Sequence, residues 1–252
     1  MGERPKGELP ANFKSKAVPA AEMGPPAFAP VMPKIGGPSV VIVPFPKARL
    51  QEMVAAAKAL FPDVERWSTD DVLTATVWQA LVRVRCEQVG LTVESDEVTT
   101  CSRAFNVRQR TEPKLGAGYF ANGATQIWTE LPVKELCAMS PGAVAQKLRA
   151  SIMMHKAEDT AARVQWYREE AAKGNRTPQQ YDKWALTFIL SSWVFDWEAV
   201  DFGAKPVAFD HGAIVPIVAN FVPRPGGDGL NVYASGPQAS TEQFARLLGG
   251  SG

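Results

Sequence analysis

The sequence lacks most of the features that assign a function quickly. It has only three cysteines, Cys86, Cys101 and Cys137, far apart and odd in number. They form neither a metal-type spacing nor a disulfide framework, and read as buried reduced thiols of a cytoplasmic protein. No apolar run approaches the roughly 20 residues needed to cross a bilayer. Residues 1–20 are polar and contain proline, which does not fit a secretory signal. Neither sign of charge dominates: 27 basic and 26 acidic residues leave a net charge of +1, so no nucleic-acid or anionic-membrane surface is expected. What remains is ordinary for a folded chain. With 46% apolar and 21% charged residues over 252 positions, it can form one large or two small domains.

Residues 1–38 are rich in Pro, Gly and Ala and show no period, so they read as an extended crossover or a disordered leader. Residues 39–45 hold Val40-Val41-Ile42-Val43 between prolines, which predicts a buried strand. Residues 47–61 predict a helix with Leu50, Met53, Val54, Ala57 and Leu60 on one face. Ser68, three residues before Asp71, has the form of a capping box. The helix after it carries Leu73, Val77, Leu81 and Val84 in one stripe. Residues 98–110 alternate: Cys101, Phe105 and Val107 point one way, and Ser102, Asn106, Arg108 and Arg110 the other. Gly116, Gly118 and Gly123 mark a loop, and a strand is expected over 124–131.

Ser140-Pro141 is a helix start, and one long helix is expected from there to about Ala172, ending at Gly174-Asn175. Thr177-Pro178 repeats the start signal for a short helix. Residues 186–194 predict a strand. Strands are also expected over 212–222 and 229–235, joined by a hairpin at Pro223-Arg224-Pro225-Gly226-Gly227-Asp228. A last helix over 241–248 ends the domain, and 249–252 form a tail. The fold class is α/β, a mixed β-sheet flanked by helices, because at least one hairpin is antiparallel.

Several blocks occur together in order. They are Ser68-Thr69-Asp70-Asp71-Val72-Leu73-Thr74-Ala75 leading to Trp78, then Asn106-Val107-Arg108-Gln109-Arg110, then Gly118-Tyr119-Phe120-Ala121-Asn122. Ser191-Ser192-Trp193, Asp201-Phe202-Gly203 and Asn220-Phe221-Val222-Pro223-Arg224-Pro225 complete the series. In this order, over residues 39–248, the blocks resemble the C-terminal half of a BAHD-type acyl-CoA-dependent acyltransferase. The resemblance implies a chloramphenicol acetyltransferase-like fold and places 39–248 as the second of the family's two domains. It implies acyl transfer from an acyl-CoA, as cosubstrate, to an alcohol or amine, with no metal and no other bound cofactor. In the family the general base lies in an H-x-x-x-D-G segment at the end of the first domain. A neutral imidazole there takes the acceptor's proton as it attacks the thioester.

For this chain the resemblance implies that Ser191 and Trp193 line the acyl and acceptor pocket. It makes Arg108, Arg110, Asp201, Phe202 and Gly203 a structural motif in which Asp201 pairs with Arg108 or Arg110. The chain departs from the pattern in two places. Ala204-Lys205 follows Gly203 where the family reads Trp-Gly. Ala121 precedes Asn122 where the family prefers Gly, an exchange that would strain a positive φ. No residue of the chain reads as the catalytic base. His155-Lys156-Ala157-Glu158-Asp159 matches H-x-x-x-D, but it falls within the expected long helix, is followed by Thr160, and makes His155 and Asp159 local i,i+4 neighbours. His211, between Asp210 and Gly212, reads as a turn residue. The implied base segment would lie upstream, so the expected partners are a missing N-terminal domain or a second chain, besides acyl-CoA and a small-molecule acceptor. A non-catalytic half-domain serving as a binding module, a split enzyme and an incomplete gene model are the alternatives.

Overall fold

The longest helix is buried over most of its circumference, and the fold is built about it. The structure is a computed structural model that describes residues 8–10, 12–26, 28–116, 118–193, 199–204 and 215–249. In chain order its elements are β1 (Val18–Pro19), α1 (Met32–Ile35), β2 (Ser39–Phe45), α2 (Lys47–Leu60), α3 (Thr69–Val89), β3 (Val98–Asn106), β4 (Ala124–Pro132) and α4 (Val133–Ala138). They continue with α5 (Pro141–Met153), α6 (Ala157–Ala172), β5 (Asn175–Arg176), β6 (Thr187–Ser192), β7 (Val218–Pro223), β8 (Leu230–Gly236) and α7 (Gln238–Leu247).

α3 buries thirteen of its residues, Leu73, Val77, Trp78 and Val82 among them, against the sheet and the helices α2, α5 and α7. Trp78 is fully buried, and its indole N–H donates to Thr99 Oγ1 at 3.2 Å. That bond meets the requirement for a partner that a buried indole carries. α3 stops at Gly90, which takes φ 74° while the N–H of Leu91 returns to Cys86 O at 2.8 Å, a left-handed helix end that glycine allows.

Six strands form one sheet in the order β2-β8-β7-β6-β3-β4. β3 and β7 run parallel to β6, whereas β4, β8 and β2 join antiparallel. The mixed sheet follows from the hairpin chemistry at Pro223-Asp228, as expected. The apolar rows Val43/Phe45, Phe188/Leu190, Ala219/Phe221 and Val232/Ala234 face the helices. The intervening residues form a second face, with Ser191, Asn220 and Tyr233 aligned across β6, β7 and β8.

Five expectations from the sequence need correction. The expected helix over 141–172 is two helices, α5 and α6, broken at Met154–Lys156. Ser140 does cap α5, accepting from the Ala143 N–H at 3.3 Å, but α6 starts afresh with Asp159 accepting from the Lys156 N–H at 3.0 Å. Thr177-Pro178 starts no helix; β5 and a bridge between Ser15 and Gln179 occupy that stretch instead. There the chain pairs with residues 15–19, and proline's missing N–H is no handicap at such an edge.

β2 is an edge strand rather than a buried one, so alternate residues Val40 and Ile42 stand about half exposed. Ser68 occupies the N-cap of α3, yet its side chain makes no capping bond. β3 ends at Asn106, so Arg108 and Arg110 lie beyond the strand. Residues 8–38 cross the sheet with little regular structure. Phe13 stacks edge-on against Trp128, Trp166 and Tyr167, and Ile35 is fully buried. No helix among the described residues is long and apolar enough to cross a membrane.

Candidate active site

The parallel strands β3, β6 and β7 end on the same side of the sheet, and the motif residues of the sequence cluster at and just past those ends. On β6, Ser191 stands opposite Asn220 of β7. Trp193, just past β6, is tied to β7 twice. Its backbone N–H donates to Phe221 O at 2.8 Å and its indole N–H to Asn220 Oδ1 at 3.2 Å. Asn220 is buried, and among the described residues its Nδ2 has no hydrogen-bond partner. A buried amide left with unmet donors is costly, and such groups concentrate where a ligand or another surface completes them. Ser191 and Trp193, chosen from the sequence, are thus brought together through Asn220, which the sequence reading placed in a motif block but not among the site residues.

Arg108 sits after β3 in a local nest. Its backbone N–H donates to Asn106 Oδ1 at 3.1 Å, its Nη2 to Ala121 O at 2.9 Å, and its guanidinium lies 5.9 Å from the Tyr119 ring centre. Gly123 makes room for it, since a Cβ there would stand 2.6 Å from Arg108 Cζ. Arg110 lies 4.7 Å over the Phe105 ring. Asp201 forms no ion pair with either arginine among the described residues; its Oδ1 accepts the Gly203 N–H at 2.7 Å, and Gly203 takes φ 90°. The expected Asp201–arginine pair is therefore replaced by a self-contained turn, with Phe202 projecting almost fully exposed. Lys205 and His211 lie outside the described residues. The expected strain at Ala121 is absent too, because no non-glycine residue among those described has a positive φ.

The arginine that does pair with aspartates is Arg103, on the helix-facing side of β3. Its Nη1 donates to Asp71 Oδ1 at 2.9 Å and its Nη2 bonds Asp70. Arg149 of α5 reaches the other oxygen of Asp71 at 2.7 Å, and Ser192 donates to Asp70. Burial pulls the Arg103 guanidinium toward deprotonation, but Asp70 and Asp71 outweigh it and leave its pKa raised. The two carboxylates also sit in the first turn of α3, where the N–H groups and the helix dipole favour negative charge. This network ties the end of β6 to the start of α3 and so fixes where Ser191 and Trp193 stand. Its signal was present in the sequence: Arg103 is a charged residue on the apolar side of the β3 alternation.

His155 occupies the break between α5 and α6 and is buried. Its Nε2 hydrogen-bonds Thr160 Oγ1 at 2.8 Å, its Nδ1 is 4.0 Å from Asp159 Oδ2, and Phe105 packs edge-on at 5.4 Å. Burial, then Arg163, lowers its pKa to about 4; Asp159 opposes the shift and Arg110 adds to it. An imidazole with that pKa is a weak base at neutral pH, which agrees with the local, structural reading of His155. The shift has a stability consequence. Between pH 6.5 and about 4 the unfolded chain binds a proton that the folded chain refuses, so stability falls as pH falls through that window. The loss reaches about 3 kcal/mol at the acid end. Urea unfolding of wild type and His155→Gln at pH 7.5 and pH 5 would check this: the wild type should lose its advantage over the variant on acidification, and parallel losses would refute it.

The comparisons with known proteins agree with this architecture. A family model described as the Transferase family matches residues 45–246. The chain is 28% identical over 202 residues to the O-acetyltransferase dmxR13 of Cryptosporiopsis sp. (strain 8999), covering 78% of this chain and 41% of that protein. It is 27% identical over 112 residues to the spermidine coumaroyl-CoA acyltransferase of Arabidopsis thaliana, covering 44% of this chain and 22% of that one. Among solved structures, F. graminearum TRI101 complexed with coenzyme A and deoxynivalenol is similar with a TM-score of 0.69 at 20% identity, over 96% of this chain and 52% of that one. Vinorine synthase is similar with a TM-score of 0.64 at 18% identity, over 85% and 48%. The chain thus spans less than half the length of these curated relatives and about half that of the solved structures. The family match covers most of the chain and coincides with the mixed sheet and its motif-bearing strand ends, so the chain belongs to the Transferase family of BAHD-type acyltransferases.

Proposed function

We propose that the chain supplies the second half of an acyl-CoA-dependent acyltransferase, the face of β6 and β7 that carries Ser191 and Asn220 forming one wall of the reaction channel. The observation that carries this reading is the alignment of Ser191, Asn220 and Trp193 on that face, within the residues the family model matches. Ser191 and Trp193 line the acyl and acceptor pocket. The Arg103–Asp70–Ser192 network holds them in place, and the Arg108 nest with the Asp201-Phe202-Gly203 turn shapes the rim. In the reaction the acceptor's hydroxyl or amine attacks the thioester carbonyl and gives its proton to a base. Coenzyme A leaves as thiolate and recovers a proton, so ester or amide and free thiol are the products. Burial, the bond to Thr160 and a lowered pKa argue against His155 as that base, and the base belongs to an H-x-x-x-D-G segment in a preceding domain or companion chain. One relative's name carries a coumaroyl-CoA donor and one neighbour holds coenzyme A, which supports acyl-CoA as cosubstrate here.

The reading makes a direct prediction for residues 1–252 alone. Thiol release from acetyl-CoA with a panel of alcohols and amines should stay at the buffer rate, and His155→Ala should not change it. Turnover that disappeared in a folded His155→Ala protein would place the base in this chain and overturn the assignment. A non-catalytic binding module has no specific observation in its favour beyond the unmet donor on Asn220, which the channel reading also explains.

A further inference from the structure

A cavity of about 350 Å³ opens at β3 and β4 on the second sheet face, between Trp128, Ala104 and Tyr167 of α6, which packs against that face there. That volume lies within the range of small-molecule sites. Three carboxamides line it: Asn122, Gln126 and Gln179. In each, the carbonyl end is taken by the protein. Asn122 Oδ1 accepts the Ala124 backbone N–H at 3.0 Å, a donor that fixes which end of the amide faces inward. Gln126 Oε1 accepts from Ser102 Oγ at 2.9 Å. The Tyr181 hydroxyl accepts from the Trp128 indole N–H at 3.1 Å; Gln126 Oε1, 3.2 Å away, is already served by Ser102, so its single proton goes to the nearer Gln179 Oε1 at 3.0 Å. None of the three NH₂ groups meets a protein acceptor among the described residues. No charged side chain lines the cavity there.

The site therefore offers hydrogen-bond donors, the partly exposed ring of Tyr167 and no carboxylate, while the Trp128 ring is buried under the Arg163 guanidinium at 4.8 Å. We infer that it binds a neutral ring compound rich in hydroxyl, carbonyl or ether oxygens. Three fixed NH₂ donors want oxygen lone pairs, and the Tyr167 ring suits the flat or C–H-bearing face of a ring. A cationic amine finds no carboxylate to pair with, and the Arg163 guanidinium, bonded to the lining residue Thr125 at 2.9 Å and lying 4.8 Å over the Trp128 ring, opposes a second positive charge. Ala104 follows Arg103, which is in register with Leu190 of β6, so Ser191 lies one strand away. On the acyl-transfer reading, on which this role rests, the cavity seats the body of an alcohol acceptor rather than a polyamine.

The test is direct binding to residues 1–252, read from the side-chain NH₂ resonances in ¹⁵N-correlated spectra. The probes are 4-nitrophenyl β-D-glucoside, 7-hydroxycoumarin and spermidine. At least one of the two neutral probes should shift the NH₂ signals of Asn122, Gln126 and Gln179, and spermidine should not. Asn122→Ala and Gln179→Met, both at surface-accessible positions, should each raise the dissociation constant of that probe about five- to tenfold. Unchanged spectra with both neutral probes, unchanged affinity in both variants, or spermidine shifting the same signals would overturn the inference. The readout needs no acyl-CoA, so the two readings fail separately. Neutral-probe binding to residues 1–252, with no acyl transfer to any acceptor by the assembled protein that also holds the H-x-x-x-D-G segment, would sink the enzymatic reading and leave this site standing. Acyl transfer to spermidine with the NH₂ signals unmoved would do the reverse.

Discussion

Replacing Arg103 by methionine should cost about 3–5 kcal/mol of folding stability, the penalty for stranding buried charge. Methionine keeps most of the side-chain volume, so packing alone would cost about 1 kcal/mol. The rest comes from Asp71, whose side chain is only 4% exposed and would be left with Arg149 as its single cation. Ser192 would meanwhile be bonded to a carboxylate that nothing else anchors. A triple variant, Asp70→Asn/Asp71→Asn/Arg103→Met, should recover a large part of the loss because no charge is then buried. Urea unfolding reads both. A loss below about 1 kcal/mol in the single variant would mean that solvent reaches the network and screens it, as in surface pairs.

Gly229→Ala should be nearly as damaging, at about 3 kcal/mol, through a different mechanism. Gly229 takes φ 103°, a conformation other residues rarely adopt, and a Cβ there would fall on the carbonyl oxygen of Phe45 and within 2.8 Å of Lys47 N. All of these are backbone atoms at the junction of β2 and α2, so no side chain can swing aside. The β7–β8 hairpin would have to lift from the edge strand, losing backbone fit as well as conformational ease. Thermal unfolding compares this with Gly90→Ala, where φ is 74° but a Cβ meets nothing within 4 Å. The Gly90 variant should lose about 1 kcal/mol, from the strain of the left-handed conformation only. Equal losses at the two positions would contradict the clash.

The contrast between legible and hidden elements follows from range. Strands β3, β4, β6, β7 and β8 and helices α2, α3 and α7 could be read because apolar period, turn residues and glycine stops act within a dozen residues. The break at Met154–Lys156 could not, since the residues around it keep good helix formers and the reason for stopping is tertiary: His155 turns inward against Phe105 and Thr160. The edge position of β2 was equally invisible, because a run of Val and Ile looks the same in the middle of a sheet as at its border. Ser191 and Trp193 were found by motif. Arg103 stands out as a charge on the apolar side of β3, but its partners Asp70 and Asp71 and the link made by Asn220 emerge only when elements distant in sequence come together.

The most direct test of the account is to tag the native protein at its C-terminus in its own organism, purify it under mild conditions, and measure intact mass and acyl-CoA turnover on the same sample. The account predicts that residues 1–252 are recovered either within a chain of about twice this length, as the 48–52% coverage of the solved structures implies, or bound to a companion bearing the H-x-x-x-D-G segment. That species should release coenzyme A when given an alcohol. A lone chain of 252 residues, folded and without turnover toward any acceptor, would contradict it.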